Sequence, residues 1–143
     1  MGILVGVVTL AIAASTEEAL YHFIICSLIF MKTILMTGAA GGVGTFLRRE
    51  LKEYSLRLTD LKSVGALSDN EDFVTCDITD LDALSGTVAG CEGIIHLGGI
   101  SDERSWDDIL NANIIGCRNI YEAARLAGVK RVIFASSKHA VGF

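Results

Sequence analysis

The stretch TILMTGAAGGVG, residues 33–44, decides how the rest of the chain is read. Its first part, Thr33–Met36, is a short apolar run suited to a buried strand. Its second part, Thr37–Gly44, is a glycine-rich turn directly ahead of apolar residues at helical spacing, beginning with Val43. Gly38 allows a tight turn at the strand end. Gly41 and Gly42 let the backbone approach a ligand, and Gly44 lets the new helix pack closely on the sheet. The first turn of such a helix has unpaired N–H groups and the positive end of the dipole, an arrangement that attracts a phosphate. Glycines at a strand-to-helix turn can also serve packing alone, so the surrounding pattern has to decide between the two.

Working outward, five short apolar runs recur: Thr33–Met36, Leu56–Thr59, Phe73–Thr75, Gly93–Leu97 and Arg131–Ala135. Between the first two, Val43, Leu47, Leu51 and Tyr54 form a helical stripe, with Arg48, Arg49, Lys52 and Glu53 off it. Residues 61–71 read as loop, and a short helix is expected over Leu81–Val88. Before the last run, Leu110, Ile114, Cys117, Tyr121 and Ala124 form a second stripe, closed by Gly128 as a helix stop. Strands alternating with helices imply right-handed crossovers and an α/β fold, a Rossmann-like doubly wound parallel sheet.

In that context Asp60 gains meaning. It closes the second strand 22 residues beyond Gly38, where a carboxylate can accept from ribose hydroxyls. Leu61 follows it at the same strand end. The pair of signals points to a dinucleotide, and a carboxylate against the 2′-hydroxyl repels a 2′-phosphate. NAD is therefore expected over NADP, with Arg57 and Lys62 the nearby cations able to offset that repulsion. A solvated turn residue is the plainer reading of Asp60.

Composition narrows the partners. The net charge of −5 and the lack of any basic run argue against nucleic acid. Cys26, Cys76, Cys91 and Cys117 show no CxxC spacing and no matching histidines, so they read as reduced thiols of a cytoplasmic protein with no metal site. Half of the residues are hydrophobic, and the excess lies in residues 1–30. The two apolar runs there are each shorter than the roughly 18 residues of a spanning helix. They read as a leader or upstream extension, with a membrane anchor as the alternative, and the nucleotide-binding domain is expected over 31–143.

Read in order, TGAAGGVG, CDITD, HLGG, NANIIG and IFASS give the chain its resemblance to the extended short-chain dehydrogenase/reductases, the NAD-dependent epimerase/dehydratase family. GCEGIIHLGGIS, NIIGCRNIYEAAR and IFASSKHAVGF resemble uronate dehydrogenases most. The resemblance implies that Asp77 and Ile78 hold the adenine end of NAD, and that Leu97, Gly98 and Gly99 line the cofactor channel. It implies that Asn113 supports the central helix beside the active site. Ser137 would be the catalytic serine, orienting the substrate hydroxyl, and Ser101, Lys138 and His139 would contact the substrate. Lys138 stands where uronate dehydrogenases have asparagine, and an ammonium cannot copy an amide's paired donor and acceptor. Local alternatives accompany these roles: Asp77 could cap the next helix, Asn113 could be a hydrogen-bond bridge, and Ser136 and Ser137 could simply end a strand. His96, inside a strand, reads as a core residue and not as a proton carrier.

In this family the base is a tyrosine with a lysine four residues on. None of Tyr21, Tyr54 and Tyr121 has that lysine. The expectation is the cofactor half of an enzyme, with the C-terminal strands and substrate lobe beyond residue 143, inactive alone and left with a hydrophobic edge that favours self-association. The activity expected of the whole is oxidation of a sugar hydroxyl, C1 of a hexuronate, by NAD. A nucleotide-sugar epimerase or dehydratase, or a non-catalytic NAD-binding module, are the alternatives.

Overall fold

The computed structural model describes residues 33–136. The leader expected at residues 1–30, and Ser137, Lys138 and His139, lie outside the described residues. The elements run β1 (Thr33–Thr37), α1 (Gly42–Glu50), β2 (Ser55–Asp60), β3 (Glu71–Thr75), α2 (Leu81–Val88), β4 (Gly93–His96), α3 (Trp106–Ile109), a π-helical turn (Leu110–Ile115), α4 (Gly116–Ala127) and β5 (Arg131–Phe134). All five expected strands are present, with ends shifted by one or two residues.

The sheet is parallel, in the order β3-β2-β1-β4-β5. The chain steps outward from β1 to β3 on one side, then returns to the other side of β1 for β4 and β5. The switch point therefore falls between β1 and β4, and in an open sheet of this kind ligands bind at the strands' carboxyl ends there. Both faces of the central strands β1, β2 and β4 are covered, because alternate residues of buried strands point to opposite faces, while β3 and β5 at the edges are mostly exposed. Leu35 and Ile94 pack against Leu84, Val88, Ile120 and Ala123 of α2 and α4. Met36, Leu56 and Leu58 pack on the other face with Leu47 and Leu51 beside them. Each fully buried leucine contributes about 1.5–3 kcal/mol, enough to hold the strand ends that carry the site.

Three expectations are corrected. Val43 does not belong to the buried stripe of α1: it is 62% exposed, because its neighbour Gly44 takes the contact with the turn. The stripe on the long helix is displaced. Gly116, Asn119, Ile120, Ala123 and Ala124 are buried, whereas Ile114 and Tyr121 are about half exposed. The cause is the π turn, in which the Gly116 N–H donates to the carbonyl of Asn111, five residues back. Each extra residue rotates the following face by about 100°. Finally, Arg48 is not on a solvated face. Its guanidinium forms a bidentate pair with Glu71 at 2.8 Å and donates to the carbonyls of Val64 and Ala66, pinning the 61–70 loop.

Candidate functional site

The glycine turn is built by close backbone approach. Gly38 has φ +69°, and a Cβ there would lie 2.7 Å from the Gly98 nitrogen and the Leu97 carbonyl carbon. The turn after β1 thus touches the exit of β4 backbone to backbone, and the Gly41 N–H donates to the Gly38 carbonyl at 3.0 Å. At Gly44 a Cβ would meet the Ala39 carbonyl oxygen at 2.7 Å, which is the packing role expected for it. Gly42 differs: nothing lies within 4 Å of its would-be Cβ. Packing does not require glycine at this position. The space in front of it is open, and α1 starts there at N-cap Gly41 with no side-chain cap. An uncapped first turn facing free space offers its N–H groups to an anion.

Asp60 is held half-buried at the end of β2. Its Oδ2 accepts from the Ala40 N–H and its Oδ1 from the Lys62 N–H, both at 3.0 Å. The carboxylate therefore braces the glycine turn, and each oxygen retains a further lone pair for a hydroxyl donor. Arg57, one of the two cations weighed against it, is committed elsewhere. It donates to Asp72 and to the carbonyls of Thr87 and Ala89 at 2.8–3.2 Å. Lys62 contributes its backbone N–H to Asp60, and the residue is exposed.

Between these parts runs a cleft of about 290 Å³ at the carboxyl ends of the strands. Gly38, Gly41, Asp60 and Leu61 line it on one side, Asp77 and Ile78 at the β3 end, and Leu97, Gly98 and Gly99 at the β4 end. Gly42 and Val43 sit exposed at the start of α1, and Gly44 is buried beneath. A second groove of about 320 Å³ lies at the opposite ends of the strands, around Ile34, Gly93 and Arg131. The glycine turn and the strands' carboxyl ends favour the first as the ligand site.

At the β3 end Asp77 Oδ1 accepts from the N–H and hydroxyl of Thr79, at 2.9 and 2.8 Å. The helix-capping alternative for Asp77 is corrected: Asp80 caps α2, accepting from the N–H groups of Asp82 and Ala83. At the β4 end Asn113 clamps the backbone of Ile100, accepting from its N–H at 2.7 Å and donating to its carbonyl at 2.8 Å. It stands behind the channel wall as a bridge. Ser101 is exposed, donates to Asp102 at 3.1 Å, and borders an adjoining cavity with Arg104 and Asp108.

His96 is a core residue, as expected. It is 1% exposed, stacks on Phe134 with ring centroids 5.4 Å apart, and its Nδ1 lies 2.7 Å from the Thr37 hydroxyl. Burial lowers its pKa and keeps the imidazole neutral. Thr37 Oγ1 also accepts from the Gly98 N–H at 3.1 Å, so one hydroxyl ties β1 to the channel wall. Cys76, Cys91 and Cys117 are free thiols whose pKa values burial pushes up, which disfavours the thiolate. Among the described residues no group of three or more His, Cys, Asp or Glu could hold a metal ion. No helix among them is long and apolar enough to cross a membrane.

Reading the sequence missed Thr37, Arg48 and Asn119. Asn119 is 3% exposed, and its Nδ2 donates to the carbonyls of Ile78 and Thr79 at 3.1 and 2.9 Å. No local signal marked it, because Arg118 and Glu122 in the same helix are polar as well. Nothing local marked Arg48, whose partner lies 23 residues away.

Comparison with known proteins agrees with this geometry. The family described as "NAD dependent epimerase/dehydratase family" matches residues 34–142. A uronate dehydrogenase of Pseudomonas syringae pv. tomato is 52% identical over 113 residues, covering 77% of this chain and 41% of that protein. A crystal structure of an Agrobacterium tumefaciens uronate dehydrogenase variant complexed with NAD superposes with TM-score 0.72 at 50% identity, over 76% of this chain and 42% of the other. A glucuronic acid dehydrogenase from Chromohalobacter salexigens gives TM-score 0.73 at 51% identity, over 76% and 41%. The chain spans about two fifths of the length of these relatives.

Proposed function

The chain belongs to the NAD dependent epimerase/dehydratase family, and from that premise we propose that residues 31–143 are a domain that binds NAD for oxidation of a sugar hydroxyl, C1 of a hexuronate. The observation that carries the cofactor half of this reading is the brace around Asp60. Its carboxylate faces the cleft while Arg57 is tied to Asp72 and to the end of α2. A 2′-hydroxyl finds an acceptor there, and a 2′-phosphate finds a like charge.

The residues present fit the dinucleotide. The open front of Gly42 and the uncapped turn of α1 suit the pyrophosphate. Ile78 and Leu97 supply apolar surface for the rings, and Asp77 supplies an acceptor for the adenine amine. NAD, when bound, supplies the hydride acceptor. Ser137 would hold the substrate hydroxyl by a hydrogen bond, with Ser101, Lys138 and His139 contacting the sugar. Serine cannot serve as the base near neutral pH, because neither its pKa nor its ionised form suits the task. With no tyrosine–lysine pair at the required spacing, the chain alone is proposed to bind NAD without turnover. The free thiols support a cytoplasmic setting.

The substrate half of the reading rests on the uronate dehydrogenase relatives. A chimaera tests it: residues 31–143 joined to the remaining part of the Pseudomonas syringae relative, assayed for NADH formation. Turnover with galacturonate or glucuronate supports the reading. A folded chimaera that ignores both and acts on a nucleotide sugar would refute it in favour of an epimerase or dehydratase role.

A further inference from the structure

The helix formed by α3, the π turn and α4 touches both ends of the cleft, and it does so with two asparagines. At the β4 end Asn113 clamps the N–H and carbonyl of Ile100. At the β3 end Asn119 spends both of its amide hydrogens, one on the Ile78 carbonyl and one on the Thr79 carbonyl. Between them Gly116 leaves room for the Ile78 side chain: a Cβ there would lie 2.7 Å from Ile78 Cδ1 and Cγ1. Asn113 lies within the π turn, which ends at Ile115 just before Gly116, so the turn separates the two asparagines along the helix.

The segment that Asn119 holds is itself an organiser. Thr79 presents its N–H and hydroxyl to Asp77, which fixes the Asp77 carboxylate at the mouth of the cleft. A chain of hydrogen bonds therefore runs from Asn119 through Thr79 to Asp77, and apolar contact runs from Gly116 to Ile78. Asn119 is buried and does not line the cleft, so it acts on a ligand only through these neighbours. Among short, neutral side chains only an amide carries two hydrogens on one atom. Serine or threonine has one hydrogen to give, and an aspartate facing two carbonyls has none.

We propose that Asn119 is a positioning residue for the adenine half of the bound dinucleotide, holding the Asp77–Thr79 turn in its binding geometry. This rests on the reading that NAD lies in the cleft with its adenine at Asp77 and Ile78. Without the two donors, the turn loses its anchor to the helix, and ordering it on binding costs affinity.

The test is calorimetric titration of the 143-residue chain with NAD and with ADP-ribose, at a temperature where circular dichroism shows every variant folded. Asn119→Ala is expected to weaken both ligands by the same factor, about tenfold, because both carry the adenine half. Asn119→Ser keeps one donor and is expected to lose less. Asn113→Ala, whose clamp lies at the β4 end, is expected to weaken NAD more than ADP-ribose. A merely stabilising Asn119 would lower the melting temperature and leave both affinities where they were, and that result overturns the inference. Should Asn119→Ala fail to fold, the Asn119→Ser titration decides by the same criterion. If the unmutated chain binds neither ligand, the NAD reading falls and this inference falls with it. If the unmutated chain binds both and Asn119→Ala binds them equally well, this inference alone is refuted.

Discussion

The glycines at positions 42 and 44 are two residues apart, yet their replacement by alanine is expected to have opposite consequences. At Gly44 the new methyl would sit 2.7 Å from the Ala39 oxygen and 2.8 Å from Ala39 Cα and the Gly38 oxygen, all of them backbone atoms. Ordinary contact begins near 3.4 Å, so the turn and the helix must part by about 0.7 Å. Overpacking of this kind costs about 3 kcal/mol at the upper end of its range. Higher helix propensity of alanine returns about 1 kcal/mol, which leaves a net loss of about 2 kcal/mol. For a domain of this size that is roughly 7–9 °C in melting temperature. At Gly42 the methyl meets nothing, so stability is expected to hold or rise by about 0.5 kcal/mol. The same methyl occupies the space where the pyrophosphate is proposed to approach α1, and NAD affinity is expected to fall about tenfold or more. Thermal melts by circular dichroism and calorimetric NAD titrations of the two variants give the four numbers needed. Gly44→Ala melting with the unmutated protein would refute the packing argument, and undiminished NAD binding by Gly42→Ala would refute the phosphate argument.

Asp60→Ala is expected to narrow the preference for NAD over NADP and to cost about 1–3 kcal/mol, since the N–H groups of Ala40 and Lys62 lose their acceptor; paired titrations and urea unfolding check both parts. Arg48→Ala leaves the Glu71 carboxylate with the Ser68 N–H alone and should destabilise by about 1–3 kcal/mol in urea unfolding. The Arg48 guanidinium holds the Glu71 carboxyl below its usual range, so the pair's contribution is present above the ordinary carboxylate pKa and is lost as pH falls through the depressed one. Stability of the unmutated chain should therefore drop in acid, with Arg48→Ala lacking that share of the slope. His96, whose pKa burial lowers, is expected to remain neutral at a pH where an exposed imidazole is half protonated. Its contribution to stability is then lost as pH falls below the unfolded value, and the imidazole proton shifts followed by NMR against pH would show it. Titration of His96 at or above an exposed imidazole's pKa would contradict its burial.

The five strands were legible because each contains a short apolar run between turn residues, but only β1, β2 and β4 have the burial expected of a parallel strand. The positions of the glycine turn and Asp60 were legible because each follows or closes a strand that the sequence marks. The face of the long helix was not legible. Its residues follow ordinary helical spacing, and the π turn that rotates them depends on tertiary contacts, such as the clamp between Asn113 and Ile100. Arg48 read only as lying off the apolar stripe and Arg57 as a cation near Asp60, because the groups that claim them, Glu71 for one and the end of α2 for the other, are remote in sequence. The capping role given as the alternative for Asp77 belonged to Asp80, and that was readable. Asp80 directly precedes the apolar Leu81 that opens α2, which is where a capping carboxylate sits.

The most direct test of the account is a calorimetric titration of the unmutated 143-residue chain with NAD and, separately, with NADP. The account requires saturable, one-to-one NAD binding, with NADP binding at least about tenfold weaker, because Asp60 is proposed to meet the 2′-position and Arg57 is tied to Asp72 and the end of α2. NADP binding as tightly as NAD, or no binding of either by a folded chain, would contradict it.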